Sequence, residues 1–258
     1  KREENPDFLN AFLDYSTTIL NKSPNSIKEY NYDLAMFFKF IKIHFNMTNE
    51  TDLKEIYIKD ITIDTVKRIK IDDIHAFLGY LSTTYHSKPA TRARKISTLR
   101  IFFKYATVKE KLLDVNPAQN LETPKLEKRM PKYLSLEQSQ KLLKVADSTD
   151  NRNYKRDFAI TTLFLNCGMR LSELVGINIR DIDFDENKMT VIGKGNKERV
   201  IYLNKSCINA INDYLASRPA PSLIKRDSKN SDKALFLSEQ KKRISNRTVQ
   251  LIITKELE

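Results

Sequence analysis

Two short stretches of the 258-residue sequence carry residue types suited to phosphate chemistry. The first is Gly168-Met169-Arg170-Leu171-Ser172-Glu173-Leu174. Arg170 stands among apolar neighbours, so its guanidinium is expected to be held rather than free. A fixed guanidinium suits bidentate binding of two non-bridging phosphate oxygens. Glu173, one helical turn on, is placed to orient it; a purely structural Arg170–Glu173 pair is the plainer reading of the same spacing. The second stretch is Val191-Ile192-Gly193-Lys194-Gly195-Asn196-Lys197-Glu198-Arg199. Glycines flank Lys194 at what reads as a hairpin tip, where an ammonium can donate a proton to, or stabilise charge on, a leaving oxygen. An exposed basic turn is the plainer alternative. No Gly-Lys-Ser/Thr occurs there, so this is not a nucleotide-cradling loop.

The elements around these stretches divide the chain. Residues before about Glu122 read as successive amphipathic helices. Phe8, Leu9, Phe12, Leu13 and Tyr15 mark the first, and Ser23-Pro24-Asn25-Ser26 caps the second, which carries Ile27, Tyr30, Leu34, Phe37, Phe38 and Ile41. Residues 46–70 are polar and β-branched and read as a loop plus a short helix. Asp72 or Asp73 is expected to cap a helix with Ile74, Phe77, Leu78 and Leu81, and Pro89 to open another through Ala106. Prolines 117, 124 and 131 forbid a continuous helix and mark a linker over 122–134. Beyond it, Ser135 caps a helix to about Val145, Arg156–Asn166 forms a buried helix ended by Gly168, and the period then changes to that of strands. Lys188–Ile192 and Arg199–Leu203 are expected to form a β-hairpin, Ile208–Leu215 a helix, and Ser245 to cap a last helix through Leu257. The fold class is therefore mainly α with a small antiparallel sheet: an all-α domain at 1–121, the linker, and an α+β domain at 135–258.

Forty-five Lys and Arg against 33 Asp and Glu give a net charge of +12, an argument about partners rather than fold. Polyphosphates come first, because each neutralised phosphate releases counterions. No run of about eighteen apolar residues and no signal peptide is present, which points to the cytoplasm and away from membranes. Cys167 and Cys207 lack Cys-x-x-Cys spacing, so no zinc site is implied and both are expected to be reduced, structural thiols.

Together the two stretches, joined by Asp181-Ile182-Asp183, resemble the tyrosine recombinases, specifically the simple Xer-like members. The resemblance covers nearly the whole chain. Ser23-Pro24-Asn25-Ser26-Ile27-Lys28-Glu29-Tyr30 with Asp33-Leu34 looks like the start of that family's helical, SAM-like core-binding domain, and Arg94–Phe103 like its later helix. Asn116-Pro117-Ala118, Pro124-Lys125 and Pro131–Ser135 resemble the passage into the catalytic domain. The resemblance implies site-specific recombination of double-stranded DNA: a tyrosine cleaves one strand, a 3′-phosphotyrosyl link forms, a 5′-hydroxyl leaves, and no metal or other cofactor takes part. It places Arg170 on the phosphate and Lys194 as the acid for the leaving oxygen. It implies a tetramer on paired sites and association with the nucleoid when bound to DNA. The family's His-x-x-Arg, its further His or Trp and its nucleophilic Tyr find no counterpart: the histidines are His44, His75 and His86, there is no Trp, and Tyr214 is the last tyrosine. The helix from Arg243 to Val249 resembles the segment preceding His-x-x-Arg, so roughly fifty or more residues of the domain are expected to lie beyond Glu258.

Outside the motifs, Ser26, Lys28, Arg92, Arg94 and Lys95 are expected at phosphates, the last three at a helix start whose amides also attract anions. Arg243 and Arg247 are the corresponding candidates in the second domain. A noncatalytic or degenerate DNA-binding regulator of the same fold is the alternative from another class; binding to a membrane surface lacks a helix with one basic and one bulky apolar face. Both domains are expected to grip the duplex from basic inner faces. Limited proteolysis should cut between Leu126 and Lys132; cleavage inside Ile96–Ala106 with resistance at 126–132 would move the boundary.

Overall fold

The computed structural model describes residues 2–127, 130, 133–147, 153–193, 195–224, 227 and 230–257. The chain forms two compact units, Lys1–Met130 and Pro131–Glu258, divided within the proline-marked segment.

The first unit is helical: α1 (Asp7–Thr18), α2 (Pro24–His44), α3 (Ile63–Arg68), α4 (Ile71–Thr83) and α5 (Pro89–Lys104), the last running into one π-type turn at Tyr105–Lys109. Pro24 at the first position of α2 and Pro89 at the first position of α5 sit where no backbone N–H is needed. Ser23 is the N-cap of α2 and its hydroxyl accepts the Ser26 N–H at 3.3 Å. The helices bury residues at three- and four-residue spacing, such as Leu9, Phe12, Leu13 and Ser16 on α1 and Leu34, Phe37, Phe38 and Ile41 on α2. Phenylalanines meet edge to face at the centre, Phe12 against Phe102 at 5.4 Å and Phe38 against Phe102 at 5.6 Å.

Two expectations change here. Helix α4 begins at Ile71, and Asp73 acts from inside its first turn, its carboxylate accepting the Lys70 N–H at 2.7 Å. Residues 46–70 do contain a loop and a short helix, but the loop is not a polar excursion: Leu53, Ile56, Ile58 and Ile61 are buried in the core. Two lysines of α2 hold it, Lys39 Nζ donating to Leu53 O at 2.7 Å and the buried Lys42 Nζ to Tyr57 O at 3.0 Å and Asp60 at 2.7 Å.

A buried carboxylate joins α2 to α5. Asp33 accepts from Arg94 at 2.5 and 2.8 Å, from Lys95 Nζ at 2.7 Å and from Thr98 Oγ1 at 2.9 Å. Lys95 is itself only 3% exposed and lies 4.9 Å from the centre of the Tyr32 ring. The expectation that Lys95 meets phosphate is therefore corrected: its ammonium is spent inside the protein.

The second unit contains α6 (Leu136–Asp147), α7 (Tyr154–Cys167), α8 (Leu171–Gly176), β1 (Ile182–Asp183), β2 (Lys188–Ile192), β3 (Glu198–Tyr202), α9 (Lys205–Ser217) and α10 (Asn246–Leu257). The strands form one antiparallel sheet in the order β1-β2-β3, with Met189 opposite both Ile182 and Ile201. Strand β3 starts one residue earlier than expected, and α9 starts three residues earlier, at the Asn204 cap whose Oδ1 accepts the Cys207 N–H at 2.9 Å. Cys167 and Cys207 are free thiols with their sulfurs 3.8 Å apart. Ala234–Leu237 is buried, stitched by bridges Asn178–Ala234 and Leu237–Arg243. Arginines hold it by backbone oxygens: Arg156 on Leu237 O at 3.0 Å and Arg218 on Ala234 O at 2.7 Å. The Leu237 N–H donates to the Tyr214 hydroxyl at 3.1 Å.

Removing one partner of a buried ion pair strands the other's charge. Asp33→Ala should therefore lower the unfolding free energy by about 3 kcal/mol or more, read from urea unfolding by far-UV circular dichroism. A loss below about 1 kcal/mol would show that water reaches Lys95 in the variant.

Candidate functional site

Arg170 is placed by two successive terminations. Helix α7 ends at Cys167 because Gly168 turns left-handed (φ 54°), a conformation that costs glycine nothing. Two residues later Arg170 becomes the N-cap of α8 in an extended conformation, and the Glu173 carboxylate accepts its backbone N–H at 2.8 Å. The Arg170 side chain is 66% exposed, whereas Glu173's is fully buried. The apolar neighbours in sequence therefore do not enclose the guanidinium, as the sequence suggests; they bury the carboxylate beneath it. Arg170 NH1 meets Glu173 Oε1 at 2.9 Å, which anchors one edge of the guanidinium and leaves the rest facing solvent.

A second arginine completes the arrangement. Arg199 on β3 donates from NH2 to Glu173 Oε2 at 2.8 Å and to Gly168 O at 3.4 Å. Sequence reading quotes Arg199 only as the end of the hairpin motif and gives it no role. The signal for it is strand alternation: Arg199 shares a face with Ile201 and pairs with Val191, both buried, so the base of its side chain lies along the packed face while 42% of the side chain stays exposed.

Burial alone would raise the Glu173 carboxyl. Hydrogen bonds from Arg199, from the Arg170 amide and from the Arg170 guanidinium outweigh that and hold it at about 2. The hairpin base packs directly on this carboxylate. Gly193 donates its N–H to Lys197 O at 2.7 Å to close the turn, and a Cβ at Gly193 would stand 3.1 Å from Glu173 Oε1 and 3.9 Å from Arg170 NH1. Gly195 takes a left-handed φ of 77° at the tip. Lys194 lies outside the described residues. An exposed guanidinium fixed on a buried acid, beside a basic hairpin, has donors of the kind that bind a tetrahedral anion.

Arg243 turns inward, its NH1 on Val175 O at 2.9 Å and its NH2 on Asn178 Oδ1 at 2.6 Å, so it braces α8 against Ala234–Leu237. Arg247 is exposed on α10. In the first unit Lys28 is exposed on α2, Ser26 hydrogen-bonds Ser23, and Arg92 donates to Ser87 O. Arg94 keeps 40% of its side chain exposed while bonded to Asp33 and Glu29. Among the described residues no cluster of His, Cys, Asp or Glu could hold a metal ion, and no helix is long and apolar enough to cross a membrane.

The sign of the Glu173 shift sets a pH test. A carboxyl held low favours the folded state above its ordinary value near 4.5, and that contribution is lost as pH falls from there toward about 2. Glu173→Gln should remove this part of the acid dependence, so wild type and variant should converge in thermal stability between pH 4.5 and pH 2. Parallel stability curves over that interval would show that the carboxylate is not held as the geometry indicates.

The chain is similar to known proteins in sequence and in fold. The profile described as "Phage integrase family" matches residues 132–258. The tyrosine recombinase XerC of Caldanaerobacter subterraneus subsp. tengcongensis is 47% identical over 253 residues, covering 98% of this chain and 69% of that protein. The XerC of Thermodesulfovibrio yellowstonii is 31% identical over 248 residues, covering 96% and 74%. In fold, the chain is similar to the XerH site-specific recombinase bound to palindromic difH substrate in a post-cleavage complex, with a TM-score of 0.66 at 17% identity over 96% of this chain and 67% of that one. It is also similar to a lambda integrase (75–356) dimer bound to a COC′ core site, with a TM-score of 0.60 at 17% identity over 96% and 80%. The chain belongs to the tyrosine recombinases of the phage integrase family, enzymes that break and rejoin DNA in site-specific recombination.

Proposed function

We propose that Arg170 receives the scissile phosphate of a double-stranded recombination site. The observation that carries this is the half-exposed guanidinium anchored on a buried, ionised Glu173. In a family whose chemistry passes through a five-coordinate phosphorus, that guanidinium is free on the side where phosphate oxygens would sit. Lys194, at the hairpin tip, is the proposed acid for the departing 5′-oxygen. The fixed edge of Arg170 means little reorganisation accompanies charge development, which is where electrostatic catalysis gains most.

Lys28, Arg92, Arg94 and Arg247 are proposed to contact the DNA backbone. Such contacts set register and affinity without reading sequence. Arg94 meets phosphate with its exposed part while Asp33 holds the rest, and Ser26 supports the start of the same helix as Lys28. Lys95 and Arg243 are omitted because their donors are engaged inside the protein. Tyr214, the last tyrosine, is not the nucleophile: it is buried and its hydroxyl accepts the Leu237 N–H. The recombinase is proposed to act as a tetramer on paired sites and to be cytoplasmic, nucleoid-associated when bound to DNA.

The test is covalent trapping on a nicked suicide duplex. Residues 1–258 alone should bind the duplex and leave no covalent adduct on a denaturing gel. The full-length recombinase should form one without added metal and in the presence of a chelator. Arg170→Ala should slow that step on the order of a thousandfold. Lys194→Ala should be rescued by a 5′-thiolate leaving group, and Arg170→Ala should not. Equal slowing of Lys194→Ala on both leaving groups would remove the lysine as acid, and an adduct with residues 1–258 would locate the nucleophile among them.

A further inference from the structure

The Glu173 carboxylate serves two arginines from two directions; both keep part of their side chains exposed, Arg170 66% and Arg199 42%, and the first is the proposed phosphate receptor. We propose that Arg199 is a positioning residue for strand cleavage, acting through Glu173. Three contacts from one strand position support this. Its guanidinium reaches Glu173 Oε2 at 2.8 Å, reaches Gly168 O at 3.4 Å, and sits on β3 directly across from Val191, two residues before Gly193. Gly168 is the residue whose left-handed turn releases the chain toward Arg170, and Gly193 is the residue whose missing Cβ lets the hairpin close on Glu173. Arg199 therefore ties the loop that carries one catalytic candidate to the hairpin that carries the other.

Charge makes the tie functional as well as structural. Arg170 and Glu173 alone form a neutral pair, in which both carboxylate oxygens compete with a phosphate for the same guanidinium. Arg199 shares Oε2 with the Arg170 backbone N–H and adds one positive charge, so the triad carries a net +1 and the Arg170 guanidinium is held by a single oxygen. Without Arg199, Oε2 would keep only the Arg170 amide as partner and its remaining acceptor capacity would draw the Arg170 guanidinium into a two-oxygen pair, the arrangement that carboxylates favour with arginine. The phosphate would then meet a guanidinium already spent. This inference rests on the proposed role of Arg170, so its test is arranged to separate the two.

Adduct formation by the full-length recombinase is compared for wild type, Arg170→Ala, Arg199→Gln and Glu173→Gln/Arg199→Gln. The probe is a nicked duplex bearing a site enriched from random sequence by the protein itself. Arg199→Gln should cleave roughly tenfold to a hundredfold more slowly, the worth of one hydrogen bond to a charged group, with duplex affinity within about threefold of wild type because the phosphate-contacting surface is untouched. The double variant should cleave faster than Arg199→Gln, because the side-chain amide oxygen introduced by Glu173→Gln can take over the cap on the Arg170 N–H while the competing charge is gone. If Arg199→Gln cleaves as wild type does, or if the double variant is no faster than Arg199→Gln, the positioning role is overturned. A loss of affinity in proportion to the loss of rate overturns it too, making Arg199 a DNA contact. Should Arg199→Gln not fold, Arg199→Lys keeps the charge: retention of most of the wild-type rate supports the electrostatic account, and a loss as deep as that of Arg170→Ala overturns it. If Arg170→Ala itself cleaves normally, the role proposed for Arg170 fails first, whatever Arg199 does.

Discussion

A carboxylate taken out of water must be met by enough donors to stay charged, and in the second unit that requirement falls on Glu173. Its donors come from separate parts of the chain: an amide at the start of α8, the guanidinium of that same residue, and a guanidinium on β3. To satisfy it, α7 must end where it does, α8 must begin two residues after the left-handed glycine, and the hairpin must close without a side chain at position 193. The apolar packing of Met169, Leu174, Met189 and Val191 supplies most of the burial.

The first unit uses the same device at another scale. Asp33 gathers Arg94, Lys95 and Thr98 from one helix onto its neighbour, and again an arginine, Arg94, remains partly exposed near a helix start. In both units a surface arginine is stiffened by an acid that has itself been removed from solvent. A long cationic side chain ordinarily loses rotamer freedom when it binds an anion. Anchoring one edge in advance means that much of this loss has already occurred in the unbound protein.

How much of this was legible depended on which force governed each segment. Helices with a clear apolar stripe, such as Leu9–Leu13 and Leu34–Ile41, are readable because burial repeats with the helical period. Gly168 as a helix terminator and the glycine-flanked hairpin are readable because backbone conformation restricts residue choice there. Residues 46–70 resisted because lysines of α2 fix that loop by its backbone carbonyls, and a carbonyl leaves no mark on sequence. Lys95 misled for a different reason. Its neighbours Arg92 and Arg94 suggest a basic face, yet it lies in step with Thr98, Leu99 and Phe102 on the buried side. Arg199 offered the same clue on a strand, a charge in phase with Ile201, and its partner lay 26 residues away where no local pattern could reveal it.

The buried segment Ala234–Leu237 is secured largely by its main chain. Arg156 and Arg218 grip its main-chain oxygens, Tyr214 accepts one of its amides, and Arg243 reaches across to the main chain of Val175 and Ile177. A grip on peptide groups is indifferent to which amino acid supplies them. Such a grip constrains the arginines and the side-chain volume there, and leaves the identity of the gripped residues free to vary. Divergent relatives can thus preserve the path of this segment after its sequence has ceased to be recognisable.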